Sequence, residues 1–207
     1  MPRGRFGHGR VIDHVRYLFA AANMVVLPIG LLFWLVIHSF APRWRKLGPG
    51  RTYLTVLPIV ALCGVLLYSI RRILVGADLG THASLIVIGL VLWAISTIEI
   101  RYWRHLSIRT LVGITELSSV EGGADKLLTE GAYRTVRHPR YLSAGIGVIG
   151  NVFIANYAGV YVLLLILFPL GFIMLMLEER ELVDRFGERY RQYQREVPRI
   201  IPRFRKR

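Results

Sequence analysis

The chain has 207 residues, of which 54% are hydrophobic and 19% charged, with a formal net charge of +14 and one cysteine. That length suits one domain and is short for two. A single cysteine excludes an internal disulfide framework or a thiolate metal cluster, and Cys63, inside an apolar run, reads as a small buried hydrophobe.

The apolar residues come in long runs, and the basic residues fall between them, a pattern of membrane topology and anionic headgroups instead of nucleic acid. Residues 1–16, rich in Gly and Arg, are expected to be poorly ordered. The following run, Tyr17 to Phe40, is too long for a signal peptide and lacks a small-residue cleavage site, so it is read as a first span with a kink at Pro28-Ile29-Gly30. A second span is predicted over Tyr53 to Val75 and a third over Ala83 to Ile100, with Tyr102 and Trp103 as interfacial anchors. Residues 101–140 form a polar loop broken by Gly122-Gly123.

Tyr141 to Leu177 is a stretch of 37 residues without a charge. As one helix it would reach about 55 Å, nearly twice a hydrocarbon core, so it must fold back, and Asn151 to Gly159 holds the residues a turn needs. Beyond it, Leu182, Phe186, Tyr190, Tyr193 and Val197 recur at helical spacing and predict an amphipathic helix ending at Pro198, followed by Arg205-Lys206-Arg207.

The fold class is therefore all-α: one polytopic membrane domain over 1–207 with about five transmembrane helices. It divides into three N-terminal spans (17–100), a cytoplasmic loop (101–140), a hairpin (141–177) and a C-terminal amphipathic helix with a basic tail (178–207). In this scheme 21 of the 27 Lys and Arg residues lie in the loops at 41–52 and 101–140 and in the tail. The positive-inside tendency then puts the N-terminus outside and the C-terminus in the cytoplasm.

Two polar clusters bracket the hairpin. Arg137-His138-Pro139-Arg140-Tyr141 opens it, with Pro139 suited to a first helical turn and His138 held extended before it. Glu178 and Glu179 close it, at a depth where an uncompensated charge costs a few kcal/mol. Both fall on the cytoplasmic side and read as one site.

These residues carry a resemblance. Leu127, Thr129, Gly131, Tyr133, Arg137, His138, Pro139 and Tyr141, followed by Glu178-Glu179, Leu182, Phe186-Gly187, Tyr190, Tyr193 and Val197-Pro198, resemble the integral-membrane methyltransferases typified by isoprenylcysteine carboxyl methyltransferase and bacterial phospholipid N-methyltransferases. The likeness covers roughly the last eighty residues. It implies an enzyme using S-adenosylmethionine, held between the loop and the C-terminal helix, and acting on a membrane lipid or lipid-soluble acceptor. Asp125, Lys126, Leu127 and Leu128 would line the adenosine with backbone groups. Tyr133, His138, Pro139, Arg140 and Tyr141 would contact the cofactor, and Glu178 would bind its ammonium, as a carboxylate suits a cation and aromatic faces suit a sulfonium. Arg137, His138 and Tyr141 are the catalytic candidates. Met174 departs from the pattern: isoprenylcysteine-type members carry an arginine there, so an amine, thiol or other headgroup stays open.

Other features are weaker. Gly145-Ile146-Gly147-Val148-Ile149-Gly150 matches the dinucleotide fingerprint but lies in an apolar helix with no preceding strand, where small residues serve close helix approach. His8, His14, His38, His82 and His105 share no metal-ligand spacing, so no metal is expected. Glu99 is a minor site candidate. The rival readings are an NADPH-dependent membrane sterol reductase, which shares an Arg-His-Pro-x-Tyr segment, and a non-catalytic lipid-binding protein.

Overall fold

The computed structural model describes residues 6–101 and 127–202, with side chains from 9 to 97 and from 127 onward. The expected anchors Tyr102 and Trp103, the Gly122-Gly123 breaker, the Glu99 side chain and Arg205-Lys206-Arg207 lie outside the described residues. Among those described, the chain is helical apart from short turns. The helices are α1 (Phe6–Ser39), α2 (Ala41–Leu47), α3 (Pro49–Ser69), α4 (Arg71–Val75), α5 (Ala83–Arg101), α6 (Pro139–Ala155), α7 (Ala158–Phe186) and α8 (Glu188–Glu196), with a 3-10 turn at Gly131–Arg134 before α6. Three are long and apolar enough to cross a membrane: Gly9–Ser39, Pro49–Ser69 and Ala158–Phe186. Leu54, Leu165 and Phe168 are each more than 70% exposed on these helices, as side chains facing lipid would be.

Several expectations change. Helix α1 begins at Phe6, well before Tyr17. The reason is Arg16, which is 2% exposed and reaches residues far along the chain. Its guanidinium donates to Asp78 Oδ1 (2.5 Å), Thr81 Oγ1 (2.6 Å) and the Asn156 carbonyl (3.2 Å). The second span ends early: α3 stops at Ser69, and Ile70 separates it from the short α4. The tail is not one continuous amphipathic helix. Leu182 and Phe186 belong to α7, Gly187 breaks the chain at φ +58°, and Tyr190 and Tyr193 are buried on the separate α8.

The fold-back falls at Asn156 and Tyr157. Asn156 takes the left-handed conformation (φ +51°), which Asn tolerates better than most residues. Its side chain donates to the Gly80 carbonyl (2.9 Å) and accepts from the Tyr161 hydroxyl (2.9 Å). Ala20, Ala21, Met24, Val75, Val152, Ala155 and Val160 form the core beside this turn. Here α7 passes so close to α4 that a Cβ on Gly159 would overlap the Leu74 carbonyl oxygen.

The fingerprint-like glycines lie on a helix seam. A Cβ on Gly150 would come within 2.8 Å of the Gly89 carbonyl, and one on Gly147 within 2.9 Å of Ser96 Oγ. Ser96 Oγ donates to the Ser143 carbonyl (2.9 Å) and Ser143 Oγ to the Ser96 carbonyl (2.7 Å), a reciprocal pair that fixes α5 against α6.

Candidate functional site

Pro139 at the first turn of α6 leaves no amide to satisfy there, and His138 is its N-cap residue. The preceding backbone is pinned from the other end of the chain. The Arg137 amide donates to the Pro198 carbonyl (2.8 Å) and the His138 amide to the Arg199 carbonyl (3.0 Å). The hairpin entrance and the C-terminal segment thus meet over the end of α7, and the two polar clusters do come together.

The paired glutamates part company in function of position. Adjacent helical residues point about 100° apart, so Glu178 and Glu179 face different neighbours. Glu179 is enclosed: Arg137 Nε donates to its Oε1 (2.9 Å), Arg199 to its Oε2 (2.6 Å), and His138 Nε2 lies 3.1 Å from Oε1. Arg137 also donates to the Gln194 carbonyl (3.0 Å) and to the Val197 carbonyl. Together these contacts tie α6, α7, α8 and the tail to one another.

Glu178 instead lines an apolar cavity of about 520 Å³ formed by α1, α5, α6 and α7. Its side chain is 25% exposed, and Tyr141 donates its hydroxyl to Glu178 Oε2 at 2.5 Å. His138 Nδ1 lies 4.0 Å from the same oxygen, and its ring meets the Tyr141 ring edge-on at 5.5 Å. Arg140, Tyr141 and Met174 are also on the wall, with Leu27, Leu31 and Leu167 on the apolar side.

Tyr133, in the 3-10 turn, has its phenol pushed up by burial, with Arg140 lowering it and Glu178 raising it, which puts both charges within electrostatic reach. Its carbonyl accepts from the Tyr193 hydroxyl (2.6 Å). Burial, with Tyr133 nearby, pushes Tyr193 up to about 12. Leu127 lines a separate polar cavity of about 610 Å³ with Arg134, Tyr193 and Glu196. Leu128 is exposed. Asp125 and Lys126 lie outside the described residues. Among the described residues no group of His, Cys, Asp and Glu is arranged to hold a metal ion.

Sequence reasoning missed a third contributor. His38 and Trp34, from α1, line the Glu178 cavity, and their rings stack at 5.4 Å with 18° between planes. His38 Nδ1 is 2.9 Å from Glu181 Oε2, and Arg45 from α2 pairs with Glu181 Oε1. His38 carries no local motif, and its partner is 143 residues away. The one available signal was Glu181 itself, a third acidic residue just beyond an apolar arm.

Residues 79–189 match the phospholipid methyltransferase family model, more than half of the chain. The chain is 35% identical over 77 residues to methanethiol S-methyltransferase 1 of Bradyrhizobium diazoefficiens, covering 34% of this chain and 24% of that protein. It is 35% identical over 77 residues to the protein-S-isoprenylcysteine O-methyltransferase of Schizosaccharomyces pombe, covering 37% and 33%. With methanethiol S-methyltransferase of Crocosphaera subtropica the identity is 29% over 126 residues, covering 58% and 45%. The chain thus spans between about a quarter and under half of the length of these relatives. No solved structure matches it. The segment matched by the family model runs from the Asp78 loop past Glu178 and Glu181 to the start of α8, and by that match the chain belongs to the phospholipid methyltransferase family.

Proposed function

We propose that the chain is an S-adenosylmethionine-dependent methyltransferase acting on a lipid-soluble acceptor that enters sideways from the bilayer. The observation that carries this reading is the Tyr141–Glu178 pair at the wall of a largely apolar cavity of about 520 Å³. That volume falls in the range of small-molecule sites, about 300–1,000 Å³. The residues fit the cofactor. Glu178 offers a carboxylate to an ammonium, and the Tyr141 ring offers a face to a sulfonium.

When bound, the cofactor supplies an electrophilic methyl group on a positively charged sulfur. Glu178 would hold the amino-acid end, Tyr141 is fixed by its bond to Glu178, and Tyr133, His138, Pro139 and Arg140 would close the site around it. Leu127, on the neighbouring polar cavity, and Leu128 would offer backbone groups to the adenosine end. Arg137 acts through Glu179, holding His138 and the tail in place. The apolar wall excludes water, which strengthens each charge contact and leaves positioning as the main contribution to rate.

Five helices cross the bilayer, with α5 and α6 joining the three longest. The 22 helical steps from Arg16 to His38 rise about 33 Å and the 20 from Ala158 to Glu178 about 30 Å, each close to a hydrocarbon thickness. The Arg16 cluster then marks the outer face and the Glu178 cluster the cytoplasmic one, where the cofactor is available. S-adenosylmethionine donation is also consistent with relatives named for O- and S-methylation.

Calorimetry on the purified protein tests the reading. S-adenosylhomocysteine should bind and NADPH should not. Glu178→Gln should weaken that binding about 10- to 150-fold, the loss of one charge-assisted hydrogen bond, without changing the melting temperature of the unliganded protein. Binding of NADPH, or equal affinity in wild type and Glu178→Gln, overturns it.

A further inference from the structure

Two of the helices that border the Glu178 cavity are built alike. Helices α1 and α7 each contain an interior proline followed two residues later by glycine, Pro28-Ile29-Gly30 and Pro169-Leu170-Gly171. One pair of their ends is clamped, since Arg16 of α1 donates to the Asn156 carbonyl just before α7 (3.2 Å). From that corner Pro28 lies 12 helical steps beyond Arg16, about 18 Å, and Pro169 lies 11 beyond Ala158, about 17 Å, so both stand at one depth. Pro28 has no amide for the Met24 carbonyl and Pro169 none for that of Leu165, and each helix bends most easily where that rung is lost. Glycine inside a helix weakens it further. At Gly89, Gly150 and Gly159 close packing explains the residue, because an added Cβ would overlap a neighbouring backbone oxygen; at Gly30 and Gly171 nothing lies within 4 Å, and what these two supply is freedom to bend. The other ends of the helices meet at Glu181 of α7: His38 Nδ1 is 2.9 Å from its Oε2, and Arg45 pairs with its Oε1. Arg45 sits on α2, which the Trp44 indole fastens to α1 by donating to the Val36 carbonyl (2.9 Å). Between clamp and carboxylate, Leu27 and Leu31 of α1 and Leu167 and Met174 of α7 line the cavity with side chains that make no directional bond.

Resting on the reading that this cavity takes its acceptor from the bilayer, and deepening it, we infer that α1 and α7 form a hinged gate to the cavity, with Pro28-Ile29-Gly30 and Pro169-Leu170-Gly171 as its hinges and Glu181, holding His38 and Arg45, as its latch. Beyond the hinges the arms run 10 helical steps to His38 and 12 to Glu181, about 15 and 18 Å. A bend of about 20° carries the tip of one such arm roughly 5–6 Å sideways. Loss of the Glu181 carboxylate releases both latch contacts at once, while the Arg16 clamp keeps the opposite ends together. The gate therefore opens from the Glu178 end and not along its whole length.

The test uses the full chain in lipid nanodiscs on a Cys63→Ala background. Nitroxide labels on Ser39→Cys and Met176→Cys report the latched ends by double electron–electron resonance, and labels on Leu18→Cys and Val162→Cys, positions more than half exposed, report the clamped ends. Glu181→Ala should lengthen the Ser39–Met176 separation by about 5–10 Å and leave the Leu18–Val162 separation within about 1 Å of its starting value. A stiffened chain carrying Pro28→Ala, Pro169→Ala and Gly171→Ala, none of which lines the cavity, should restore the original separation when combined with Glu181→Ala. Pro58→Ala in α3, which contributes nothing to the cavity wall, should not restore it. Access is read by stopped flow as quenching of Trp34, on the cavity wall, by 12-bromododecanol, taken against Trp34→Phe. Quenching should be about tenfold or more slower in the stiffened chain than in wild type, about 1.4 kcal/mol of added barrier, and faster in Glu181→Ala. If Glu181→Ala does not fold, the stiffened chain carries the test through its quenching rate. Unchanged Ser39–Met176 separation in folded Glu181→Ala, equal widening at both label pairs, equal quenching in wild type and stiffened chain, or no quenching of Trp34 in any form overturns the gate. None of these readouts depends on the cofactor, so failure of wild type to bind S-adenosylhomocysteine sinks the methyltransferase reading and leaves the gate standing.

Discussion

The sharpest structural contrast in the molecule is between two neighbouring glutamates, and it can be measured by replacing each with alanine. Glu179 is 5% exposed and its partners Arg137 and His138 are 8% and 4% exposed, so removing it strands a guanidinium in a nearly dry environment. Breaking one side of such a buried pair costs about 3–5 kcal/mol. Arg199, 35% exposed, is discounted because water screens its share. For a chain of this size about 1 kcal/mol corresponds to roughly 2–4 °C, so Glu179→Ala should melt about 6–20 °C lower. Glu178, 25% exposed on a cavity wall with a hydrogen bond from Tyr141 and His138 4.0 Å away, should shift by much less. Tryptophan fluorescence in detergent follows the melt, and limited trypsin digestion follows the tail, which should be cut after Arg199 sooner in Glu179→Ala. Equal melting temperatures for the two alanine variants, with tails equally protected, would refute the assignment of Glu179 to architecture and Glu178 to the site.

Other outcomes follow from single residues. A Cβ on Gly30 meets nothing within 4 Å, yet Gly30 lines the apolar cavity, so Gly30→Phe should fold normally, bind S-adenosylhomocysteine as wild type does and lose acceptor methylation. Burial alone would raise the Asp78 carboxyl, but the hydrogen bond from Arg16 and the Gly80 amide outweigh it and hold it below its ordinary 3.8. Its contribution to stability is therefore present above that value and lost as pH falls below it, and Asp78→Asn should show a shallower acid limb in melting temperature between about pH 2 and 5. Tyr193 runs the other way. With its phenol raised from 10.0 to about 12, its contribution is complete below pH 10 and lost as pH rises toward 12, so Tyr193→Phe should flatten the alkaline limb, and tyrosinate absorbance should show a late-titrating residue that the variant lacks.

The hairpin and the meeting of His138 with the acidic pair were legible because both rest on local signals: a charge-free stretch too long for one crossing, and ionisable groups at each end of it. The glycine run was legible for the same reason, since its context, not its letters, identified a helix seam. Arg16 was not, because an arginine among glycines looks solvated until Asp78 arrives from 62 residues away. Glu179 and Glu178 are indistinguishable as letters; only the turn of α7 sends one toward Arg137 and the other toward Tyr141. The helical spacing from Leu182 to Val197 reads as one surface, and the positive φ of Gly187, which divides it, leaves that spacing intact. His38 stayed hidden because its carboxylate partner, Glu181, lies 143 residues away.

The serine pair and facing glycines between α5 and α6 bear on how the molecule admits a guest. Two helices in contact at backbone level have no layer of long side chains to glide over, and a slip of one turn, about 5.4 Å, would break both hydroxyl bonds at once. That half of the bundle works as a fixed jamb. On the proposed reading, entry from the lipid would use the opposite wall, lined by Val26, Leu27 and Leu31 of α1 and Leu167 and Met174 of α7, where flexible side chains rearrange with little penalty.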